Sequence, residues 1–437
     1  MAVAPLKVGI VGLGNVGTGV ARILTDHPHR IAERAGRPIV LKRAVVRNLN
    51  KPRDIRLESG VLTNDIQAVI NDPEITVAME LMGGIHPARE VILALLKAGK
   101  DVVTANKALL CEHGNEIFQA AREYGRTVCF EAAVAGGIPI IAAVGQSMAA
   151  NQIIAIQAIL NGTSNYILTE MQANHQHYHT ALKQAQDLGY AESDPTLDVN
   201  GLDAAQKLGI LCQLAFGTRV TTSQFEIQGI DSLDLSDLKC ASDLGYHIKL
   251  LAQARLTNRE LEMSVRPTLI RKDTPLSQIS GPFNAVLLEG DMVGKMWYSG
   301  RGAGQAPTAS ACAADLIDLA VGRAQLTFER LDLWRERPEY PVMPAHQTTS
   351  RYFLRLRVED KPNVMAEVTG ILGAKGISLA SIVQPEAPEV DAKSNTPVVP
   401  LVIMTHRTTA GQLQEAMSEL DLSSSVRGPR ICLAVAD

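Results

Sequence analysis

Six cysteines, Cys111, Cys129, Cys212, Cys240, Cys312 and Cys432, are scattered over 437 residues, and none forms a C-x-x-C pair. That excludes a zinc-ligand spacing and a disulfide framework, and it points to buried free thiols in a reducing compartment, the cytoplasm. No apolar run reaches the ~18–20 residues that a membrane span requires. The start, MAVAPLKVGIVGLG, runs directly into a strand-like stretch without the basic segment and cleavage site of a secretory signal. Neither sign of charge is in excess: 42 Lys and Arg face 46 Asp and Glu, a net of −4. The basic footprint of a nucleic-acid partner is therefore missing. No G-x-S-x-G or Cys/His arrangement suggests a hydrolase. The ten histidines show no metal pattern, and HQHYH (175–179) lies in a polar context that reads as a solvated face.

What is present suits a globular protein of two or three domains, with 46% hydrophobic and 20% charged residues. Residues 1–140 alternate short apolar runs with helical patterns. KVGIVG (7–12), IVLKRAVV (39–46), ITVAMEL (75–81), DVVTA (101–105) and TVCFEAA (127–133) read as strands, with helices at 16–25, 64–71, 87–98 and 112–123. Buried strands separated by helices predict an α/β fold with a doubly wound, Rossmann-like parallel sheet.

The texture changes after AGGIPII (135–141). RLTNRELEMSVRPTLI reads as strands and DAAQKLGILCQLAF as a helix, so residues 141–300 are expected to form an α+β domain. YSGRGAGQAPTASACAADLIDLA (298–320) is a Gly-rich turn opening a helix, whose apolar spacing permits residues 300–330 to return to the first domain. RERPEYPVMPAHQTTS is Pro-rich and non-periodic, and residues 331–350 read as a linker. Residues 351–432 and the strand end beyond them follow a β-α-β-β-α-β order with a polar turn at 386–396, the ferredoxin-like arrangement.

Four motifs carry chemistry. GLGNVG follows a strand and opens a helix, so Gly12, Leu13, Gly14, Asn15, Val16 and Gly17 form a candidate dinucleotide loop. Gly12 permits the turn, Gly14 lets the backbone approach pyrophosphate, and Gly17 lets helix and strand pack. The second strand ends in Arg47, with Lys51 behind it, rather than in an acid. A cation there suits a 2′-phosphate and favours NADP over NAD, the alternative being a solvated surface arginine. Asn106 and Lys107 stand just past a strand end, where open sheets bind ligands. Lys107 meets a carbonyl or carboxylate there, or is an ordinary exposed lysine.

The fourth motif is GYAESDPTLDVNGLDAAQK, with Glu192, Asp194, Asp198, Asp203 and Lys207 in an otherwise apolar region. At helical spacing Val199, Asp203, Lys207, Ile210 and Leu214 share one stripe, Gly201, Ala205, Leu208 and Cys212 lie opposite, and only Gln206 and Gln213 supply a wet edge. A helix apolar nearly all round is buried, which takes Asp203 and Lys207 inside. An exposed pair one turn apart is worth only ~0.3–0.5 kcal/mol, whereas buried charges there indicate a functional need.

Together VGIVGLGNVGTGV, VVTANKALL, EAAVAGGIPI, NGTSNYIL, GYAESDPTLDVNGLDAAQKL and GRGAGQAPTASA resemble, in order, the segments of homoserine dehydrogenases over residues 5–330. RVEDKPNVMAEVTGIL in the tail resembles an ACT domain, a small-molecule sensing module. The resemblance implies interconversion of L-homoserine and L-aspartate 4-semialdehyde with NADP (NAD being possible). It implies Lys207 as proton donor or electrostatic partner of the substrate oxygen, Asp203 as its orienting and substrate-holding neighbour, Glu192 as acceptor for the substrate ammonium, and Lys107 as the other candidate acid. It further implies a monovalent cation, sodium, on the main-chain carbonyls of Glu131, Val134, Gly136 and Ile138, with Gly302, Gly304 and Met82 near the cofactor. The tail implies an amino-acid effector, threonine, and a homodimer or homotetramer. It departs from the ACT pattern at Asp360-Lys361-Pro362-Asn363, where Asn replaces the usual Gly, and Asn tolerates left-handed backbone. The competing reading is a non-catalytic NADP-binding sensor with an ACT effector module, which has no need of a buried Asp203 and Lys207.

Overall fold

The computed structural model describes residues 3–334, 340–384, 389–390 and 397–436. Part of the linker reading (335–339) and most of the turn reading (386–396) lie outside the described residues. In chain order the first elements are β1 (Leu6–Val11), α1 (Asn15–Asp26), α2 (Pro28–Ala35), β2 (Ile39–Val45), β3 (Leu62–Thr63), α3 (Gln67–Ile70), β4 (Ile75–Glu80), α4 (Ala88–Lys97), β5 (Asp101–Thr104), α5 (Lys107–Glu123), β6 (Val128–Cys129) and α6 (Ile140–Ala142). The six strands pair in the order β3-β2-β1-β4-β5-β6, and every pairing is parallel. The strand order reverses next to β1, the topology that leaves a crevice beyond the strand ends.

There follow β7 (Ile153–Ile159), α7 (Gly162–Ala173), α8 (Tyr178–Asp187), α9 (Thr196–Val199), α10 (Leu202–Phe216), β8 (Glu226–Ile227), α11 (Leu235–Asp243), β9 (Tyr246–Thr257), β10 (Glu260–Arg271), β11 (Phe283–Gly290), β12 (Gly294–Arg301), α12 (Gln305–Val321) and α13 (Arg323–Leu331). The last stretch holds β13 (Thr349–Glu359), α14 (Val364–Ala374), β14 (Leu379–Val383), β15 (Glu389–Val390), β16 (Pro397–Thr405), β17 (Thr408–Thr409), α15 (Ala410–Leu420) and β18 (Ile431–Val435). The chain forms two compact units, one of residues 1–156, 206–221 and 284–341, the other of 157–205, 222–283 and 342–437.

In the first unit, the inward side chains of β1, β2 and β4 meet α1, α2 and α12 in one core that includes Val8, Ile10, Val20, Leu24, Met79, Cys312 and Leu316. Helix α12 packs on α1 where Gly19 leaves room: a Cβ there would stand 2.8 Å from Gln305 and 2.9 Å from Ala309.

Some local expectations need correction. The run 127–133 is not one strand, because pairing ends at Cys129 and Glu131–Ala133 turn into a 3-10 helix. Helix α5 begins at Lys107, five residues before its predicted start, because Asn106 caps it by accepting from Leu109 N at 3.2 Å. The helix predicted at 64–71 shrinks to α3.

The second unit is built on a mixed sheet. Strands β9 and β10 are a twelve-residue hairpin in full register from Glu260↔Thr257 to Arg271↔Tyr246. Its two-residue turn places Asn258 (φ 50°) and Arg259 (φ 66°) in left-handed backbone, the twist that antiparallel strands favour. On the edge of β10 away from β9, β8 pairs in parallel at Ser264–Val265 and β18 pairs in parallel at Thr268–Leu269. From there β18, β13, β16 and β14 continue antiparallel. The last four strands, with α14 and α15, have the predicted β-α-β-β-α-β order and their own core, including Leu354, Leu356, Val368, Leu401, Leu413 and Met417. Asn363 takes the left-handed conformation (φ 75°) at the start of α14, so the turn forms without glycine.

Lys249 on β9 is only 4% exposed and donates to Asn165 Oδ1 (3.1 Å) and Ile279 O (2.6 Å). Burial pushes its pKa from 10.5 down to about 8. Folded protein thus binds fewer protons than unfolded chain between these values. Stability is expected to rise by about 3 kcal/mol as pH climbs through that window, the deficit returning in full as pH falls below it. Urea unfolding at both ends of the window tests this, and Lys249→Met should flatten the difference.

Candidate active site

The dinucleotide loop belongs to the first unit, and each glycine in it has a separate cause. Gly12 has φ +101°, and a Cβ there would lie 2.7 Å from the Leu81 carbonyl group, where the chain leaves β4. Gly17 has no room either, since its Cβ would sit 2.1 Å from Gly12 O. At Gly14 a Cβ would meet nothing within 4 Å. The backbone at the N-terminus of α1 therefore faces an open cradle, the environment a pyrophosphate needs. Leu13 is buried beneath the loop and Val16 packs against the same core. Asn15 is held by Gln305, whose Nε2 donates to its carbonyl and to its Oδ1, both at 3.0 Å.

Gly302 and Gly304 lie in the turn leading to Gln305. Gly302 packs so closely on Asn284 that a Cβ would overlap its side chain at 2.1 Å, and Gly304 has φ +112°. Arg47, two residues beyond β2, and Lys51, six beyond it, are both exposed. Met82 is half-buried, and its N–H donates to Glu80 Oε1 at 2.8 Å.

Glu80 was not singled out from sequence. Fully buried at the end of β4, it also accepts from Gly83 N (3.3 Å) and from Thr104 Oγ1 (2.9 Å), which locks the loop carrying Met82 to the end of β5. From there the backbone N–H of Asn106 bonds to Thr104 Oγ1, Asn106 Nδ2 donates to Gly84 O (2.6 Å), and Lys107, half-buried, opens α5.

The EAAVAGGI turn is buried throughout except at Gly137, and Ala135 is left-handed (φ 50°). Gly136 and Gly137 lie against the 301–302 backbone, where Cβ atoms would approach carbonyl oxygens to 3.0 and 2.6 Å. Glu131 receives Ile141 N and Ala142 N on its two carboxyl oxygens (both 2.9 Å), and its own N–H donates to Asp315 Oδ2 (3.1 Å). Burial pushes the Glu131 carboxyl up to about 7, and burial followed by the charge of Glu131 drives Asp315 well above the usual carboxylate range. The Ile138 carbonyl accepts from Ile140 N at 2.7 Å. Among the described residues no three His, Cys, Asp or Glu side chains gather as a metal site.

The charges on α10 do go inside: Asp203 is 7% and Lys207 9% exposed, one turn apart. Gln213, expected at a wet edge, is buried as well, so the wet edge is narrower than its polarity implied. Within the second unit Asn161 organises the acidic cluster, though sequence reading left it unassigned. Its Nδ2 donates to Asp198 Oδ1 (2.7 Å) and Asp203 Oδ2 (2.9 Å), and its Oδ1 caps α7 through Ser164 N (2.8 Å). Ser164 Oγ closes the group on Asp198 O at 2.7 Å. The available signal was an Asn at a helix N-cap ahead of a buried helix. Glu192 is exposed in the turn after α8, where its carbonyl accepts from Gln186 Nε2.

All six cysteines are free, and none is a poised nucleophile. Burial raises every thiol, Cys111 to about 11 and Cys432 to about 12.

A parallel sheet in 3-2-1-4-5-6 order with an open glycine cradle at its first helix defines a dinucleotide-binding protein. Comparison narrows the class. Residues 12–131 match the model of the homoserine dehydrogenase NAD-binding domain, and residues 139–317 match that of homoserine dehydrogenase itself. The chain is 42% identical to the homoserine dehydrogenase of Pseudomonas aeruginosa, covering 99% of both chains. It is 39% identical to that of Neisseria gonorrhoeae, covering 97% of both. The crystal structure of a homoserine dehydrogenase from Thiobacillus denitrificans superimposes with a TM-score of 0.92 at 40% identity, covering 100% of this chain and 99% of that one. This chain belongs to the homoserine dehydrogenase family, NAD(P)-dependent oxidoreductases.

Proposed function

We propose that the chain interconverts L-homoserine and L-aspartate 4-semialdehyde with NADP as its preferred cofactor, on the route to threonine, methionine and isoleucine in the cytoplasm. The observation that carries the reading is α10, which buries a carboxylate and an ammonium one turn apart. Replacing such charges by apolar residues often costs a fold nothing, so their retention indicates chemistry.

When bound, the nicotinamide supplies or accepts the hydride. The chain's own groups manage the proton and the substrate charges. In the reducing direction Lys207 Nζ gives a proton to the aldehyde oxygen or stabilises its developing charge, with Lys107 as the second candidate. Asp203, held by Asn161, orients Lys207 and holds substrate, and Glu192 accepts from the substrate ammonium. The loop Gly12–Gly17 takes the pyrophosphate, while Met82, Gly302 and Gly304 flank the rest of the cofactor. The carbonyls of Glu131, Val134, Gly136 and Ile138 take a monovalent cation, sodium. Supporting that reading, the turn is tied by its own side chain and lies among carboxyl groups disfavoured by burial, which a cation would relieve. The ferredoxin-like tail acts as an ACT module for an amino-acid effector, threonine, in a homodimer or homotetramer.

Homoserine-dependent reduction of NADP by the purified chain, repeated with NAD and with threonine, tests the whole reading. No reduction with either cofactor would reject it. Arg47 carries the cofactor preference: Arg47→Ala should lower kcat/KM for NADPH by about tenfold and leave NADH within about twofold.

A further inference from the structure

One guanidinium in the first unit ties together two segments that the proposed cofactor site needs at separate phosphates. Arg22, on α1, donates through Nε (3.0 Å) and Nη2 to the Asp54 carbonyl, and it also pairs with the Asp54 carboxylate. Its Nη1 donates to Gln305 Oε1 at 3.2 Å. Gln305 Nε2 in turn donates to Asn15 O and Asn15 Oδ1, both at 3.0 Å. Gly19 seats this amide, since a Cβ there would stand 2.8 Å from Gln305 Cγ.

The chain of bonds has a direction. Arginine only donates, so Gln305 turns its oxygen toward Arg22 and its NH2 toward Asn15. Asn15 then accepts with Oδ1, which leaves its own NH2 as the end offered to a ligand. Asn15 is exposed beside Gly14, where the glycine cradle is open. A donor there suits a pyrophosphate oxygen, whereas a flipped amide would present its own oxygen to the anion.

The other arm acts on the 2′-phosphate end. Arg53 donates to Asn48 O and Lys51 O, both at 2.8 Å, so the loop after β2 is braced within itself. Holding Asp54 against α1 therefore holds Arg47 and Lys51 as well. Fixing a loop before its ligand arrives lowers the ordering cost of binding.

We propose that Arg22 and Gln305 are positioning residues for the cofactor. Gln305 sets the polarity of the Asn15 amide at the pyrophosphate, and Arg22 sets both Gln305 and the loop that carries Arg47. The assignment rests on the roles given above to the glycine loop and Arg47, and it asks neither residue to touch cofactor or substrate.

The test is fluorescence titration of the full chain with NADPH and NADH, without homoserine, alongside thermal midpoints. Gln305→Met should weaken both cofactors by about fivefold and leave their ratio unchanged. Arg22→Met should weaken both and also narrow the NADPH preference by about fivefold, less than the roughly tenfold loss expected of Arg47→Ala. Arg22→Lys reaches one partner rather than both, and it should fall between. Because Gln305 acts through Asn15, the Gln305→Met loss should shrink to within about twofold in an Asn15→Ala background. A role in folding alone would lower the midpoints and add in full to Asn15→Ala. Wild-type affinity in the Gln305 and Arg22 single variants would overturn the proposal. So would additive losses in the Asn15 pair, or an unchanged cofactor ratio in Arg22→Met. The readout is binding, so a chain that holds NADPH without turning over homoserine would reject the proposed activity and not this assignment.

Discussion

Replacing Lys207 by alanine should lower homoserine turnover by about 10²–10⁴-fold, the range that general acid–base assistance contributes. The loss should fall mainly on kcat, because the hydroxyl proton leaves as the hydride does and not when homoserine docks. Lys207 is 9% exposed on α10, a helix with apolar neighbours on nearly every side. Its removal deletes a charge from an enclosed position and leaves Asp203 tied to Asn161. Steady-state kinetics with circular dichroism of the same sample separates chemistry from folding. Native spectra with wild-type turnover would reject the assignment. The same measurement on Lys107→Ala ranks the two lysines, with the larger loss in kcat marking the donor.

Asp237→Ala should cost about 3–5 kcal/mol of stability, the penalty for stranding one member of a buried ion pair. Arg355 on β13 is 5% exposed, and its Nε donates to Asp237 Oδ1 at 2.6 Å while its Nη2 donates to Asp234 Oδ2 at 3.0 Å. Asp237 is fully buried and does a second job, accepting from Asp234 N (2.9 Å) in the capping box of α11. One substitution therefore leaves a guanidinium half-paired and a helix start half-capped. The paired replacement Asp237→Leu with Arg355→Met should recover the ion-pair part of the loss, since no buried charge is then stranded, while the capping contact to Asp234 N stays lost. Urea midpoints of the single and double variants decide this. Equal loss in both would mean that the helix cap, not the ion pair, carries the energy.

The contrast between these residues marks what could be read from the chain. Asp203 and Lys207 were legible because helical periodicity is local: apolar residues on every flank imply that charges between them are enclosed. The glycine loop was legible because a strand, a tight turn and a helix follow one another without interruption. Asn161 and Glu80 were not. Each acts on groups brought near by chain folding, Asn161 on a carboxylate 42 positions later and Glu80 on a hydroxyl 24 positions later. No window of sequence contains both partners. Asp315 was missed for the same reason, 184 positions from the amide it accepts from.

The sequence by itself determined most of the strand–helix alternation of residues 1–140, the β-α-β-β-α-β order of the tail, the glycine loop and the burial of α10, all consequences of steric preference and periodicity within a few residues. Tertiary structure decided where β6 stops, why α12 returns to α1, and which side chains hold the acidic cluster. It also decided that β18 pairs in parallel with β10. These depend on long-range pairing, and hydrogen-bond partners far apart in sequence carry no local signal.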